Sequence, residues 1–272
     1  DANLSGANLS GADLRGADLF GADLSGADLT SANLSGADLR YANISRANLP
    51  FVDLTGSNLT GADLTGADLS GGTNLTNANL TFAKLTDADL SHANFSGANL
   101  SGADLRGAYL TGSNLSFSKL SGADLSYAIL IRTDLTNVDL SGANLAAANL
   151  NGANLTGANL RRVDLTEANL TDANLVSAIL TGAKLVNTNL SRVKLSYANL
   201  SGVDIFNSLL VDASMNSSKI VNSNISNSDM TGANLHNANL TGTKITDEIL
   251  KDSVLCKTIM SSGQQNDSGC KR

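Results

Sequence analysis

The sequence is poor in the side chains that fill an ordinary globular core. Its 272 residues include no Trp, and aromatic residues make up only 4%. Leu and Ala supply most of the 42% that are apolar, whereas a chain of this length normally packs bulkier and more varied side chains. Disorder is also excluded, because disordered chains are depleted of apolar residues and this one is not. The composition therefore indicates an ordered protein with a uniform core.

Reactive and membrane-spanning features are scarce too. The two histidines, His92 and His236, lie far apart in the sequence, so we expect neither a shared metal site nor a catalytic dyad. No apolar run approaches the roughly 20 residues that cross a bilayer, so we expect no membrane insertion. The glycines recur at intervals of five and form no phosphate-binding loop. We expect no enzyme activity, no cofactor, no metal and no small-molecule substrate.

A five-residue repeat runs through most of the chain. A large apolar residue, the centre, recurs every five positions from Leu4 to Leu69. One residue is inserted at 71–72, and the register then resumes from Leu75 to Leu250. This gives 14 repeats before the insertion and 36 after it, with Leu at 42 of the 50 centres. Ala stands two residues before the centre in 33 repeats, Asn or Asp directly before it in 38, and Gly two residues after it in 22.

This period matches neither the 3.6 residues of an α-helix nor the 2 of a plain strand. A coil that turns a corner every five residues would instead direct each centre, and the small residue two positions earlier, inward. The two residues after the centre then form the corner, where a type II turn favours Pro first and Gly second. The single proline, Pro50, occupies such a first position. We expect corners whose second residue is bulky to turn with negative φ: Phe51, Phe82, Phe117 and Arg162.

The pattern resembles the pentapeptide-repeat family, whose motif is Ala-(Asp/Asn)-Leu-X-X. The resemblance covers residues 2 to about 250 and implies an all-β fold, a right-handed quadrilateral β-helix with four repeats per coil. The 50 repeats would then give about twelve and a half coils and a rod roughly 60 Å long at ~4.8 Å per coil. We expect this domain to span residues 1–245, with the extra residue at 71–72 absorbed at a corner so that the sides keep their stacking.

The last part of the chain, residues 246–272, is expected to form a short helical cap and a closed tail. Thr246 is suited to the N-cap position, and the two acidic residues that follow it suit the positive end of a helix dipole. An apolar face at helical spacing comes next: Ile249, Leu250, Val254, Leu255 and Ile259. Solenoids require such a cap to cover the last coil.

The tail also holds the only two cysteines, Cys256 and Cys270. A disulfide between them would close a loop of about 15 residues, and two unrelated thiols are the alternative. Residues 255–263, Leu-Cys-Lys-Thr-Ile-Met-Ser-Ser-Gly, resemble the tail of cyanobacterial and plastid family members exported to the thylakoid lumen or periplasm, where Pro-Asp-Gly is usual at the end. A disulfide implies an oxidising compartment. We therefore expect an extracytoplasmic protein in its mature form, without a signal peptide.

The first coil is the candidate interaction site. The repeat starts at residue 2 without a cap, so this coil should present an open edge of unpaired backbone groups. Such an edge can pair with a leader, a second copy of the chain or a protein partner. We expect the candidate edge to be marked by four centres: Leu4, Leu9, Leu14 and Leu19.

The sides of the coil offer weaker candidates. Counting repeats in fours places one row of alternating charge on a single side: Asp63, Lys84, Asp104, Asp124, Asn144, Asp164, Lys184 and Asp204. We expect a salt-bridge ladder there rather than a binding stripe. The same count places six corner aromatics on different sides, which predicts no stacking platform for bases or sugars: Tyr41, Phe51, Phe82, Phe117, Tyr127 and Tyr197.

Charge decides between partner classes. Some family members resemble B-DNA and inhibit DNA gyrase, but a 60 Å mimic needs about 35 negative charges and this chain has a net charge of −7. Only residues 1–75, with nine acidic and three basic residues, approach the required density. We expect a non-enzymatic scaffold for an unknown protein partner, with no nucleic-acid partner. The alternatives are a DNA-mimicking regulator of an enzyme such as DNA gyrase, and a purely structural protein.

Overall fold

The computed structural model describes residues 2–270, which fall into two compact units, Asp1–Asp139 and Leu140–Arg272. In the first unit the residue directly before each centre pairs in parallel with its counterpart one coil later, beginning with Asn3 and Asp23. These partners lie four repeats apart along the chain. Each coil of this unit therefore has four sides, as the resemblance noted above implies.

The second unit has the same construction. Its parallel pairs begin with Asn144 and Asp164, again four repeats apart. Backbone hydrogen bonds join successive coils, as where the Leu150 N–H donates to the Asn169 carbonyl at 2.7 Å. The Asn169 N–H in turn donates to the Ala148 carbonyl at 2.9 Å. Since the coils within each unit are bonded to their neighbours in this way, stability accumulates coil by coil within the unit.

The centres and the small residues two positions earlier form the core of both units. Leu100 and Ala98 illustrate the pattern, with no exposed surface on either. Small polar residues at the inward position, such as Ser57, are equally buried, and the Ser57 hydroxyl donates to the Leu54 carbonyl at 2.7 Å. Within residues 2–270, no buried side-chain nitrogen or oxygen lacks a hydrogen bond. The predicted inward assignment is correct.

The inserted residue is absorbed at a single corner, as predicted. Gly71 and Gly72 both adopt left-handed backbone, with φ of 72° and 93°. Across this corner Asp63 pairs with Lys84, so these partners are one position further apart in the sequence than other pairs, while the side stays the same. The sequence register therefore identifies which side chains share a side despite the insertion.

The expectation of negative φ at bulky corners is wrong. Phe51, Phe82, Phe117 and Arg162 have φ of 60°, 58°, 60° and 56°, the conformation that glycine adopts at the same corner position. The reason is the stacking of coils, because the Phe82 N–H donates to the Ser101 carbonyl one coil later at 3.1 Å. A different backbone at one corner would forfeit such bonds. These hydrogen bonds outweigh the cost of the left-handed conformation, which is about 1–2 kcal/mol in an L-residue.

One corner of the second unit departs from this scheme through a buried hydroxyl ladder, formed by Thr188, Ser208 and Ser228. The Thr188 N–H donates to the Ser208 Oγ at 3.0 Å, and the Ser208 N–H donates to the Ser228 Oγ at 3.1 Å. The Ser208 Oγ donates in turn to the Leu185 carbonyl at 2.5 Å. On the outside of this corner, amide side chains form a second ladder with bonds of 2.7 Å: Asn187, Asn207 and Asn227.

The predicted helical cap does not form. Within residues 2–270 the helix α1 is the one helical segment and comprises only Asp247–Leu250. Thr246 occupies the N-cap position, but its side chain makes no capping hydrogen bond. An isolated helix of one turn has little intrinsic stability. The apolar face predicted to extend to Ile259 is therefore absent.

Residues 251–260 continue the coil instead. Val254 pairs in parallel with Asn234, and Ile259 with Asn239. Val254 and Ile259 are accordingly 42% and 36% exposed, because they occupy the outward position directly before a centre. The five-residue register thus runs two repeats beyond Leu250, the last centre counted in the sequence. These residues can form hydrogen bonds with the preceding coil, which an isolated helix could not.

The tail closes with an antiparallel pair. Strand β1, Thr258–Ile259, pairs with strand β2, Gln265–Asn266. Because Ile259 also pairs with Asn239 of the preceding coil, β1 has a neighbour on both edges. The Sγ atoms of Cys256 and Cys270, which flank this pair in the sequence, are joined in a disulfide.

Candidate interaction surfaces

The first coil leaves part of its core uncovered. Leu4, Leu9 and Leu14 are half-buried, whereas Leu19 is 7% exposed and Leu24, one coil after Leu4, is fully buried. A row of partly exposed leucines on the end of a coil is an apolar surface, of the kind that marks interaction sites.

The backbone of the first coil is bonded on one edge only. The Leu9 N–H donates to the Asp28 carbonyl at 2.7 Å, and the Asp28 N–H donates to the Ala7 carbonyl at 2.9 Å. The N–H groups equivalent to that of Asp28 have no backbone acceptor among residues 2–270: Asn3, Asn8, Asp13 and Asp18. In the described part of the chain, this edge has the unpaired groups that allow a further strand to add.

An aromatic cluster lies beside this edge and was missed by the sequence reasoning. The rings of Phe20 and Tyr41 meet edge to face, with centroids 5.8 Å apart and planes at 74°. The Arg40 guanidinium carbon lies 5.3 Å from the Phe20 centroid, and hydrogen bonds from Arg40 lower the pKa of Asp38. Phe20 and Tyr41 are 45% and 62% exposed. The sequence does hold a signal for this contact, because Phe20 and Tyr41 are about one coil apart along the chain and the fold stacks successive coils.

The corner aromatics Tyr41 and Phe82 do not stack on each other. The reason predicted from the sequence, that the six corner aromatics lie on different sides, was partly wrong. Tyr41 and Phe82 share one corner, two coils apart, instead of lying on different sides. Gly61 stands between them, and a Cβ there would lie 2.7 Å from the Tyr41 Cε1. Phe82 likewise lies over Gly102, where a Cβ would be 2.5 Å from its Cε1. Each ring therefore covers the next glycine rather than another ring.

The row of alternating charge makes weak ion pairs. The Lys84 Nζ lies 3.4 Å from the Asp63 Oδ2, and both side chains are solvent-accessible. Burial raises the pKa of Asp63, but hydrogen bonds from Thr65 and the Lys84 charge outweigh it and leave that pKa lowered. Exposed pairs of this kind contribute at most about 1 kcal/mol. In the second unit Lys184 is similarly 3.5 Å from the Asp164 Oδ2.

Acidic residues near the first coil are partly neutralised. Arg15 donates to both carboxylate oxygens of Asp13, at 2.8 and 2.7 Å, and these bonds lower the pKa of Asp13 to about 2. Arg40 makes an equivalent pair with Asp38. Two of the three basic residues among residues 1–75 are therefore committed to local carboxylates, which lowers the charge available to imitate DNA.

A metal-binding cluster is not found in the described residues. Within residues 2–270, no cluster of three His, Cys, Asp or Glu side chains could hold a metal ion. His92 is exposed over Gly112, and His236 is exposed at a corner of the second unit. Among these same residues, no helix combines the length and apolar character needed to cross a membrane.

Comparison with known families identifies the repeat. The family model for pentapeptide repeats matches nearly all of residues 1–247: 1–36, 32–71, 73–112, 103–142, 143–182, 173–210 and 208–247. The chain belongs to the pentapeptide-repeat family. Membership implies that the coils of this pentapeptide-repeat protein are those of a right-handed β-helix. A search of curated proteins finds no match.

Solved pentapeptide-repeat structures give partial superpositions. HetL, involved in heterocyst differentiation regulation in the cyanobacterium Nostoc sp. strain PCC 7120, is 29% identical, with 92% of each chain covered and a TM-score of 0.37. QnrB1, a plasmid-mediated fluoroquinolone resistance protein, is 18% identical over 66% of this chain and 95% of its own, with a TM-score of 0.47. A protein from the Arabidopsis thaliana thylakoid lumen is 30% identical over 47% and 68%, with a TM-score of 0.18. The assignment depends on the family model and not on these superpositions.

Proposed function

We propose that this pentapeptide-repeat protein is a non-enzymatic scaffold that binds a protein partner through the edge of its first coil. The observation that supports this most directly is the combination of half-buried Leu4, Leu9 and Leu14 with N–H groups on the same edge that have no backbone acceptor among residues 2–270. A partner strand would satisfy these groups and cover the leucines, which is the mode of strand addition. Partner binding then requires no catalytic group.

The aromatic cluster supplies an anchor for such a partner. Phe20, Arg40 and Tyr41 lie together and remain largely exposed beside the first coil. Aromatic and Arg side chains dominate the energetics of protein interfaces, because they bury a large area while still making polar contacts. The proposed interface therefore combines backbone pairing along the edge with a side-chain anchor at one corner.

We further propose an extracytoplasmic location, in a thylakoid lumen or periplasm. The Cys256–Cys270 disulfide supports this proposal, because disulfides persist in oxidising compartments and are rare in the cytosol. The protein partner is then expected among the soluble proteins of that compartment.

A quantitative pull-down from lumenal or periplasmic extract tests both proposals. The bait is compared with a Leu9→Lys variant, which places a charge on the edge, and with a Ser10→Lys variant, which adds the same charge at an exposed position on the adjoining corner. The proposal expects wild type and Ser10→Lys to recover the same partner in equal amounts. Leu9→Lys should not recover it. The same bait is incubated with cytosolic extract as the compartment control.

Two results would contradict these proposals separately. Equal recovery of the partner by all three baits would exclude the first-coil edge as the interface. Recovery of a specific partner from cytosolic extract alone would exclude the proposed compartment while leaving the edge in place.

A further inference from the structure

Arginines that directly follow a centre have a regular partner, with one exception. Arg15, Arg40 and Arg106 each pair with the Asp two residues earlier, through bonds from Nε and Nη2 of 2.6 to 2.8 Å. Arg161 occupies the same position, but the residue two positions before it is Asn159, whose Oδ1 accepts a bond from the Arg161 Nη1 at 2.9 Å. An amide carries no charge, so this pairing places no carboxylate against the Arg161 guanidinium.

A second guanidinium stands next to it. Arg162 is the following corner residue, is exposed, and makes no ion pair among residues 2–270. Glycines occupy the same corner one coil before and one coil after, at Gly142 and Gly182, and the Arg162 Cγ lies 3.7 Å from where a Gly182 Cβ would be. No atom lies within 4 Å of where a Gly142 Cβ would be, so the corner one coil before Arg162 is open.

That space is a groove of about 460 Å³, lined by Ser141, Gly142, Arg161, Arg162 and Thr181. The acidic side chain closest in sequence is Asp164, which is engaged by Lys184 at 3.5 Å and by the Thr166 hydroxyl at 2.6 Å. The groove therefore presents two positive charges without a carboxylate in its lining.

The unit that contains this groove also differs in charge from the other. Residues 140–272 carry ten acidic and eleven basic residues, a net of +1, whereas residues 1–139 carry fifteen and seven, a net of −8. An anion approaching the groove is accordingly not repelled by its own unit, although the chain as a whole is acidic.

We propose that Arg161 and Arg162 form a binding site for a phosphate group, either free or as a phosphate monoester. Two adjacent guanidiniums match a dianion in charge, and the planar fork of each donates to two oxygens of one phosphate. The hydroxyl of Thr181 at the rim adds a neutral donor. This site is independent of the first-coil edge, because every residue in it lies in the second unit.

Titration followed by NMR tests the site directly. Inorganic phosphate and glycerol 2-phosphate are added separately to ¹⁵N-labelled full chain at constant ionic strength, and the backbone amides of residues 161, 162 and 182 are monitored with the arginine Nε–H signals. The proposal expects saturable shifts at these positions. Arg161→Gln, Arg162→Gln and Asn159→Asp should each weaken binding about tenfold, the last because a carboxylate would pair with Arg161 as in the three regular cases.

Arg192→Gln is the matched control, since Arg192 is an exposed arginine of the same unit that already pairs with Asp172 at 2.7 Å. It should bind both probes as wild type does, and circular dichroism should show every variant folded. Binding of phosphate but not of the monoester identifies the free ion as the ligand, and binding of both admits a monoester. Shifts that sodium chloride reproduces, or an equal loss in Arg192→Gln, would overturn the proposal.

Discussion

At the scale of a residue, the second corner position is where side-chain chemistry and coil geometry compete. Large residues there adopt the same left-handed backbone as glycine, with φ of 58° at Phe82 and 65° at Gly102 one coil later. Where a glycine occupies the same corner one coil later, as Gly102 does after Phe82, the large side chain lies over that glycine. In the sequence, three of the six corner aromatics precede a glycine by four repeats: Tyr41, Phe51 and Phe82.

Two glycines of one corner test this dependence. Gly102 and Gly122 have nearly equal φ, 65° and 66°, but a Cβ would meet the Phe82 ring only at Gly102. Replacing either by Ala should cost about 1–2 kcal/mol for the left-handed backbone, and Gly102→Ala should cost about 1 kcal/mol more by displacing the ring. Urea unfolding of both variants, with and without Phe82→Ala, measures the difference. Equal costs in the wild-type background would show that the ring contact contributes nothing.

The inward positions could be predicted from the sequence and the corner backbone could not. Leu100 and Ala98 are buried because the five-residue period leaves only one arrangement that hides every centre. The φ of Phe82 was mispredicted because intrinsic preference concerns one residue, whereas the Phe82 N–H donates to the Ser101 carbonyl of the next coil and the backbone must keep that bond. Tertiary hydrogen bonding overrides a local preference of about 1–2 kcal/mol.

At the scale of an element, the hydroxyl ladder replaces corner hydrogen bonds that the backbone makes elsewhere. The Ser208 Oγ both accepts the Thr188 N–H and donates to the Leu185 carbonyl, and it is fully buried. Ser208→Ala should therefore leave a buried donor and acceptor unpaired and destabilise the chain by about 2–3 kcal/mol. Urea unfolding monitored by circular dichroism measures this loss.

The control for the ladder is Ser218→Ala in the same unit. The Ser218 hydroxyl donates to the Met215 carbonyl, which also accepts the Ser218 N–H at 3.2 Å, so no group loses its only partner. Its cost should stay within about 1 kcal/mol. Similar losses in both variants would mean that the ladder has no special role at its corner.

The tail depends on its covalent closure. Reduction of the Cys256–Cys270 disulfide should release the short β1–β2 pairing, which has only two residues in each strand. Hydrogen exchange should then accelerate at residues 255–270 but not at residues 150–230, because the coils are held by their own bonds. A thiol assay in denaturant should find two thiols only after reduction. Two reactive thiols in the untreated protein would contradict the disulfide and remove the support for an oxidising compartment.

The structure of the elements near the C-terminus could not be predicted correctly from the sequence. Ile249, Leu250, Val254, Leu255 and Ile259 fit a helical period, but Leu250 and Leu255 also fit the five-residue period that precedes them. The structure follows the five-residue period, because a coil already in place offers backbone partners at Asn234 and Asn239. The residues of the proposed phosphate site were also missed in the sequence. Arg161 differs from the other arginines that directly follow a centre only in having Asn, not Asp, two positions before it.

At the scale of the whole molecule, acid should destabilise the fold. Hydrogen bonds and ion pairs lower the pKa of several aspartates below 3.8, and that of Asp13 to about 2. The unfolded chain therefore binds protons more readily than the folded one, and these carboxylates stabilise the fold above about pH 4. The melting temperature should be steady from about pH 7 to 5 and fall as the pH drops from about 4 towards 2. A melting temperature that is unchanged at pH 2 would contradict this linkage.

The functional account depends on the edge of the first coil, and amide hydrogen exchange tests that edge most directly. In the isolated chain, the amides of Asn3, Asn8, Asp13 and Asp18 should exchange quickly, whereas that of Asp28, bonded to the Ala7 carbonyl, should be protected. In the complex with the partner recovered by the pull-down, the account predicts that these four amides become protected. Protection confined to other surfaces, with the four amides still exchanging freely, would contradict the claim that this edge is the binding site.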